Sequence, residues 1–276
     1  MNKKIFCILR GILAMSLFSL FTHEARSQAI PCPPNIDFEF GDFTLWWCES
    51  GGDGLAGGVA YPSPPGNIST ATTPVQGLGP LPNRHTITSG SGNDAYGGAL
   101  LPVVCPGGGL HSLKLGNDGY NNGADRVKYY VHVPIGINNY SFNFRYAVVL
   151  EDPSHAPNEQ PRFTISVIDS ATGVHLKDSC YDQNFVAAAS IPGFFTSAVQ
   201  SDVRVKPWSP GILNISGAAG QTVVVDILAA DCALGGHFGY GYFDVIDCGQ
   251  FKAAVASCDL DGQGIVLTGP PGYMNY

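Results

Sequence analysis

The sequence predicts an all-β fold: an antiparallel two-sheet sandwich of the jelly-roll kind. Three observations point there: two-residue alternation of apolar and polar side chains, Gly, Pro and Asn clusters between the alternating runs, and no dozen-residue stretch of helical period free of Gly and Pro. Arg126 to Val133 sets Val127, Tyr129, Val131 and Val133 against Arg126, Lys128, Tyr130 and His132. Tyr140, Phe142, Phe144, Tyr146 and Val148 form a second series. The pattern recurs at Arg162 to Ile168, Gln221 to Leu228 and Phe238 to Val245, with shorter candidates at Ile36 to Phe40, Phe43 to Trp47, His111 to Leu115 and Val203 to Trp208. About ten strands, each with one apolar face, suggest two packed sheets.

Composition sets the outer limits. Charged residues make up 13% of the 276, too few for a coiled coil or a charged disordered tail, while 45% hydrophobic content supplies a core. Thirty-five Gly and 20 Pro imply many turns. A net charge of -8 with only 14 Lys plus Arg argues against a nucleic-acid partner, which calls for a clustered basic face.

Lys3, Lys4 and Arg10 precede the apolar run Ile12 to Phe21, with Ser27 and Ala29 as small residues near a cleavage point, so residues 1–29 read as a signal peptide. That run is too short to cross roughly 30 Å of hydrocarbon, and no later run approaches the length of a membrane span. Beyond Cys7 lie Cys32, Cys48, Cys105, Cys180, Cys232, Cys248 and Cys258, in no CxxC array. In an exported chain they read as disulfide cysteines, with Cys258 the odd one out. Residues 32–248 form the main domain, 50–83 a Gly/Pro-rich insertion in it, and 249–276 the opening of a second small β-module or a linker.

Enzyme signatures are missing: no HExxH, GxSxG or GxxxxGK[ST] occurs, and the GxGxxG match at Gly52 to Gly57 lacks its strand and helix. The chain therefore reads as a non-enzyme. Asp259-Leu260-Asp261-Gly262 reads as a plain turn. The sharpest polar cluster is Glu151, Asp152 and His155 with Arg162, Asp231 and His237, which would form a second cation site, one wall of a glycan pocket, or turns alone. His155 with His237 is the one histidine pair among scattered histidines. Of the adjacent Trp46 and Trp47 on a strand only one can face the core, which leaves Trp47 a candidate for stacking on a sugar.

Asn35-Ile-Asp-Phe-Glu-Phe-Gly41 followed by Trp46, and Tyr242-Phe-Asp244-Val, resemble the opening and closing strands of jelly-roll carbohydrate-binding modules. Tyr146 to His155, Gln160 to Phe163 and Asp231 to Tyr240 are similar to a module of large Bacteroidetes surface proteins. Those proteins often continue into Ig-like or PKD repeats and end in a type IX sorting or gliding-motility-associated domain. The likeness covers roughly residues 32–248. It implies neighbouring first and last strands with a structural Ca2+ beside them, held by Glu39 and Asp244, with Asp37 as a further ligand, together with backbone carbonyls. The same adjacency suggests a Cys32–Cys248 staple, although the connectivity among Cys32, Cys48, Cys105, Cys180, Cys232 and Cys248 stays open. The function implied is a secreted or cell-surface module for adhesion or glycan binding. The alternative is a structural spacer, and a glycoside-hydrolase role is the remote third reading.

Overall fold

The alternation along residues 126–133 becomes strand geometry in β6 (Gly123–His132), where Val127, Tyr129 and Val131 are buried while Tyr130 and His132 are exposed. The structure is a computed structural model that describes residues 31–52, 80–120, 123–176, 183–250, 254–255 and 267–268. The expected signal peptide, most of the 50–83 insertion, Cys180, Cys258 and the Asp259 turn lie outside the described residues. Among the described residues no helix is long and apolar enough to cross a membrane.

Two antiparallel sheets form the sandwich. The first has the order β1 (Trp46–Gly52), β6, β12 (Thr222–Ala230), β8 (Arg162–Asp169), β9 (Gln183–Val186). The second has the order β10 (Phe195–Thr196), β11 (Val203–Ser216), β7 (Asn139–Glu151), β13 (Gly239–Gln250), β5 (His111–Leu115), β2 (His85–Ser89). From β5 to β8 each successive strand crosses to the opposite sheet, and β11, β12 and β13 do the same, which is the jelly-roll manner of winding. Inner faces meet through Phe163, Ile165, Val127, Val225 and Ile227 on one side and Phe144, Val148, Phe243 and Leu113 on the other, all buried. Gly241 sits where a Cβ would press into the Phe163 ring, so the sheets approach closely at that point.

The second sheet is apolar on both faces. Its outer face carries Ala147, Val149, Tyr240 and Tyr242, covered by Leu101 of β4 (Gly98–Pro102), which pairs with β3 (Asn93–Asp94), and by Trp208. Both tyrosine hydroxyls donate to Asp94 Oδ2 at 2.8 Å, so this satellite core buries no orphan phenol.

Three expectations need correcting. Residues 36–40 form consecutive turns and no strand: Asn35 and Phe38 have φ of 56° and 62°, and the Asn35 side chain donates to the Thr44 carbonyl at 2.7 Å while accepting from Phe40 N. An Asn that satisfies its own loop in this way competes with an extended ladder. As a result the first and last long strands are not neighbours, because β1 pairs with β6 in one sheet while β13 pairs with β5 and β7 in the other. The N-terminal turn instead meets β13 through the Cys32–Cys248 disulfide. Finally, Cys48 and Cys105 are buried thiols and not bridged, and burial pushes both up to about 12. Val203 to Trp208 proves longer than expected, running on past a register shift between Lys206 and Ser209. Beyond the domain, β14 (Ala254–Val255) pairs with β15 (Leu267–Thr268).

Candidate functional site

Strand register places a polar and aromatic strip on the outer face of the five-stranded sheet. Trp47 opposes Lys128, Lys128 opposes Asp226, and Asp226 opposes Ser166, making one cross-strand row. The next row is Glu49, Arg126, Leu228 and Thr164. Glu49 binds Lys128 Nζ at 2.7 Å and Arg126 Nη1 at 3.6 Å, and Arg126 Nε reaches Asp226 at 3.2 Å. Burial raises the Asp226 pKa against the pull of Arg126 and Lys128. Four interlocked charges that are nearly out of water form a stiff floor, since removing one would strand its partner. Beside it stand two rings. Trp47 is 49% exposed and Tyr130, two residues beyond Trp47's partner Lys128 on the same face, is 51% exposed. Such diagonal neighbours lie about 7–8 Å apart, so the pair offers an aromatic platform. Trp46 takes the inward position, 7% exposed, with its indole donating to the Asn35 carbonyl at 2.8 Å. Glu49, Arg126, Lys128 and Asp226 were missing from the predicted site. The Arg126, Lys128, Tyr130, His132 series carries the signal, but only the register with β1 and β12 shows which acids face it.

Glu39 and Asp244 converge on the loop 108–112, and Asp37, whose Oδ1 accepts from Glu39 N at 3.3 Å, lies near enough to act on the Asp244 carboxyl. Glu39 accepts from the amides of Leu110, at 2.9 and 3.1 Å, and of His111, at 3.1 Å. Asp244, 0% exposed, accepts from the Ser112 hydroxyl at 2.9 Å through Oδ2, while Oδ1 has no hydrogen-bond partner among the described residues. A Cβ on Gly108 would collide with the Asp244 carboxylate, and one on Gly109 with that of Glu39, so consecutive glycines let both acids approach one loop. Burial pushes Asp244 up to about 8, opposed by the Ser112 hydrogen bond and reinforced by Glu39 and Asp37. Crowded carboxylates with one orphan buried oxygen fit a hard cation, although the Glu39 oxygens already serve backbone amides.

The Glu151 to His155 and Asp231 to His237 segments meet at one end of the sandwich. His155 Nδ1 lies 3.2 Å from Cys232 Sγ, and the two imidazoles pack edge to face at 5.3 Å. The acids there are turned inward. Glu151 accepts from Phe238 N and Gln200, Asp152 from Ser154 N and Gln160, and Arg162 donates to the Pro157 carbonyl. Asp231 accepts from the amides of Gly123 and Gly239, and burial pushes it up to about 7. It also lines a groove of about 630 Å³ with Arg84, Lys114, Asn117, Asp118 and Asp125, of which Arg84 and Asp125 are paired at 2.8 Å. The predicted ligand set therefore divides. Trp47 sits five residues from the Gly52 end of β1 that adjoins this loop cluster, roughly 17 Å along the strand.

No family model matches the chain, and no curated protein matches it in sequence. Among solved structures it is similar to the carbohydrate-binding module TmCBM61 in complex with beta-1,4-galactotriose, at 10% identity and a TM-score of 0.38 over 81% of this chain and 99% of that one. It is similar to the K3 cleaved adhesin domain of Lys-gingipain from Porphyromonas gingivalis, at 13% identity and a TM-score of 0.29 over 60% and 91%. The enzymatically active domain of bacteriophage CBA120 tailspike protein 4 aligns at 10% identity and a TM-score of 0.37 over 80% of this chain but only 21% of that one. No residue role is carried over from any of them; the two-sheet architecture rests on the strand pairing itself.

Proposed function

We propose that the domain is a secreted, non-catalytic glycan-binding or adhesive module, with the outer face of the five-stranded sheet as its contact surface. The observation that supports this most is the side-by-side, half-exposed pair Trp47 and Tyr130 above the Glu49–Arg126–Asp226–Lys128 network. Apolar C–H faces of a sugar stack on such rings, and a rigid floor spares the cost of ordering them on binding. The Cys32–Cys248 disulfide suits an oxidising, extracellular compartment. In this reading a Ca2+ held by Asp244, Glu39 and Asp37 neutralises their charge and ties the N-terminal turn to β13. The cation supplies structure and no chemistry. Screening the protein on a glycan array, alongside Trp47→Ala and Tyr130→Ala, tests the surface. Each variant should lose at least about tenfold in binding while melting like the wild type, since both rings are half in water. A spacer would bind nothing, and retained binding in both variants would move the site to the groove beside Asp118.

A further inference from the structure

The loop cluster left over from the glycan-binding reading carries a different kind of site. His155, Cys232 and His237 each offer one donor atom, and the three lie within 4.8 Å of one another. Their carriers are fixed. Cys232 N donates to the His237 carbonyl at 2.9 Å, and Gly235 N donates to the Cys232 carbonyl at 2.9 Å, so Cys232 and His237 face each other across a closed turn. Gly235 and Gly236 supply that turn with φ of 79° and 87°, a region that other residues enter at a cost. The second loop is held by Ser154 N donating to Asp152 Oδ1 at 3.0 Å, and Ala233 N donates across to the Glu159 carbonyl at 3.0 Å. Cys232 is fully buried, and the Nδ1 of His237 is buried with no hydrogen-bond partner among the described residues.

We propose that His155, Cys232 and His237 form a binding site for one borderline-soft divalent ion of the Zn2+ class. The donor set decides the ion. Two imidazole nitrogens and one sulfur match Zn2+, whereas Ca2+ asks for six to eight oxygens, and the nearby carboxylates of Glu151 and Asp152 are committed to backbone and amide groups. Zn–N bonds of about 2.0–2.1 Å and a Zn–S bond of about 2.3 Å set ligand atoms roughly 3.3–3.7 Å apart in a tetrahedron, so closure around the ion needs side-chain rotations of about 1 Å or less. Binding forms one Zn–S and two Zn–N bonds, releases the Cys232 thiol proton to solvent, and leaves a fourth position for water. The ion would pin the 151–155 loop to the 231–237 loop. It shares no residue with the Glu39–Asp244 cluster, and it stands whether or not the sheet face binds glycans.

The test uses the full chain, stripped with a chelator and titrated with Co2+ as a coloured substitute for Zn2+. The expected result is a thiolate-to-cobalt charge-transfer band that saturates near one ion per chain and disappears when Zn2+ is added. Cys232→Ser should abolish the band, and His155→Ala and His237→Ala should each weaken binding at least about tenfold. Cys48→Ser and Cys105→Ser should change nothing. His237→Gln, closer in size to the native side chain, serves if the alanine variant fails to fold. Absence of a thiolate band in the wild type, an unchanged titration in the histidine variants, or stoichiometric displacement of Co2+ by Ca2+ would overturn the site.

Discussion

Asp244 concentrates the physical tension of the carboxylate cluster in one side chain. Its folded pKa of about 8 lies far above its ordinary value of 3.8, so the folded state holds a proton that the unfolded state has lost between those values. Stability without metal should therefore fall as pH rises from about 4 to about 8, and Asp231, raised to about 7, adds to the same trend. Ca2+ should reverse this by taking the place of the proton. Melting curves at pH 5 and pH 8, with Ca2+ and with a chelator, should show a larger Ca2+-dependent gain at pH 8, and Asp244→Asn should remove most of it. Equal gains at both values would leave the cation without a carboxylate to displace protons from. Gly109→Ala tests the same cluster from its other side: the added methyl would collide with the Glu39 carboxylate, so it should blunt the Ca2+ response more than an exposed loop alanine would.

At the level of elements, β6 was legible because burial on one face imposes a period of two, whereas β7 and β8 alternate apolar with polar side chains in the sequence although both of their faces are largely buried. The segment 36–40 was misread because its apolar Ile36, Phe38 and Phe40 alternate like a strand, while Asn35 satisfies the backbone as a turn. Alternation reports which side chains are buried, and a turn can bury Ile36 and Phe38 just as well. The meeting of Glu151–His155 with Asp231–His237 was visible as two polar clusters. The four-charge network was not, because sequence order says nothing of which residues of β1 and β12 flank β6. Breaking that network at its centre is a prediction of its own. Arg126→Met leaves Glu49 and Asp226 without one cation and should cost about 3–5 kcal/mol, read from denaturant midpoints, whereas replacing all four charges with apolar residues should cost far less.

On the scale of the whole molecule, two devices stand in for direct pairing of the first and last long strands. One is the Cys32–Cys248 bridge, which spans 216 residues, and the other is the carboxylate cluster on the 108–112 loop. Closing so long a loop restricts the unfolded chain, so Cys32→Ser with Cys248→Ser should cost about 2–5 kcal/mol without altering the sheets, measured by melting and far-ultraviolet dichroism. Cys48 and Cys105 to Ser should leave the melting temperature's response to reductant unchanged, since neither is bridged. The domain held in this way presents a single tryptophan to solvent on its patterned face. The other two are spoken for: Trp46 lies in the core with its indole on Asn35, and Trp208 donates to the Pro102 carbonyl at 2.7 Å. Tryptophan emission followed through titration with the oligosaccharides that score on the array is therefore the most direct test of the sheet-face claim. A saturable blue shift that vanishes in Trp47→Ala and weakens in Tyr130→Ala is the predicted result; binding by the wild type that leaves Trp47 emission untouched would contradict it.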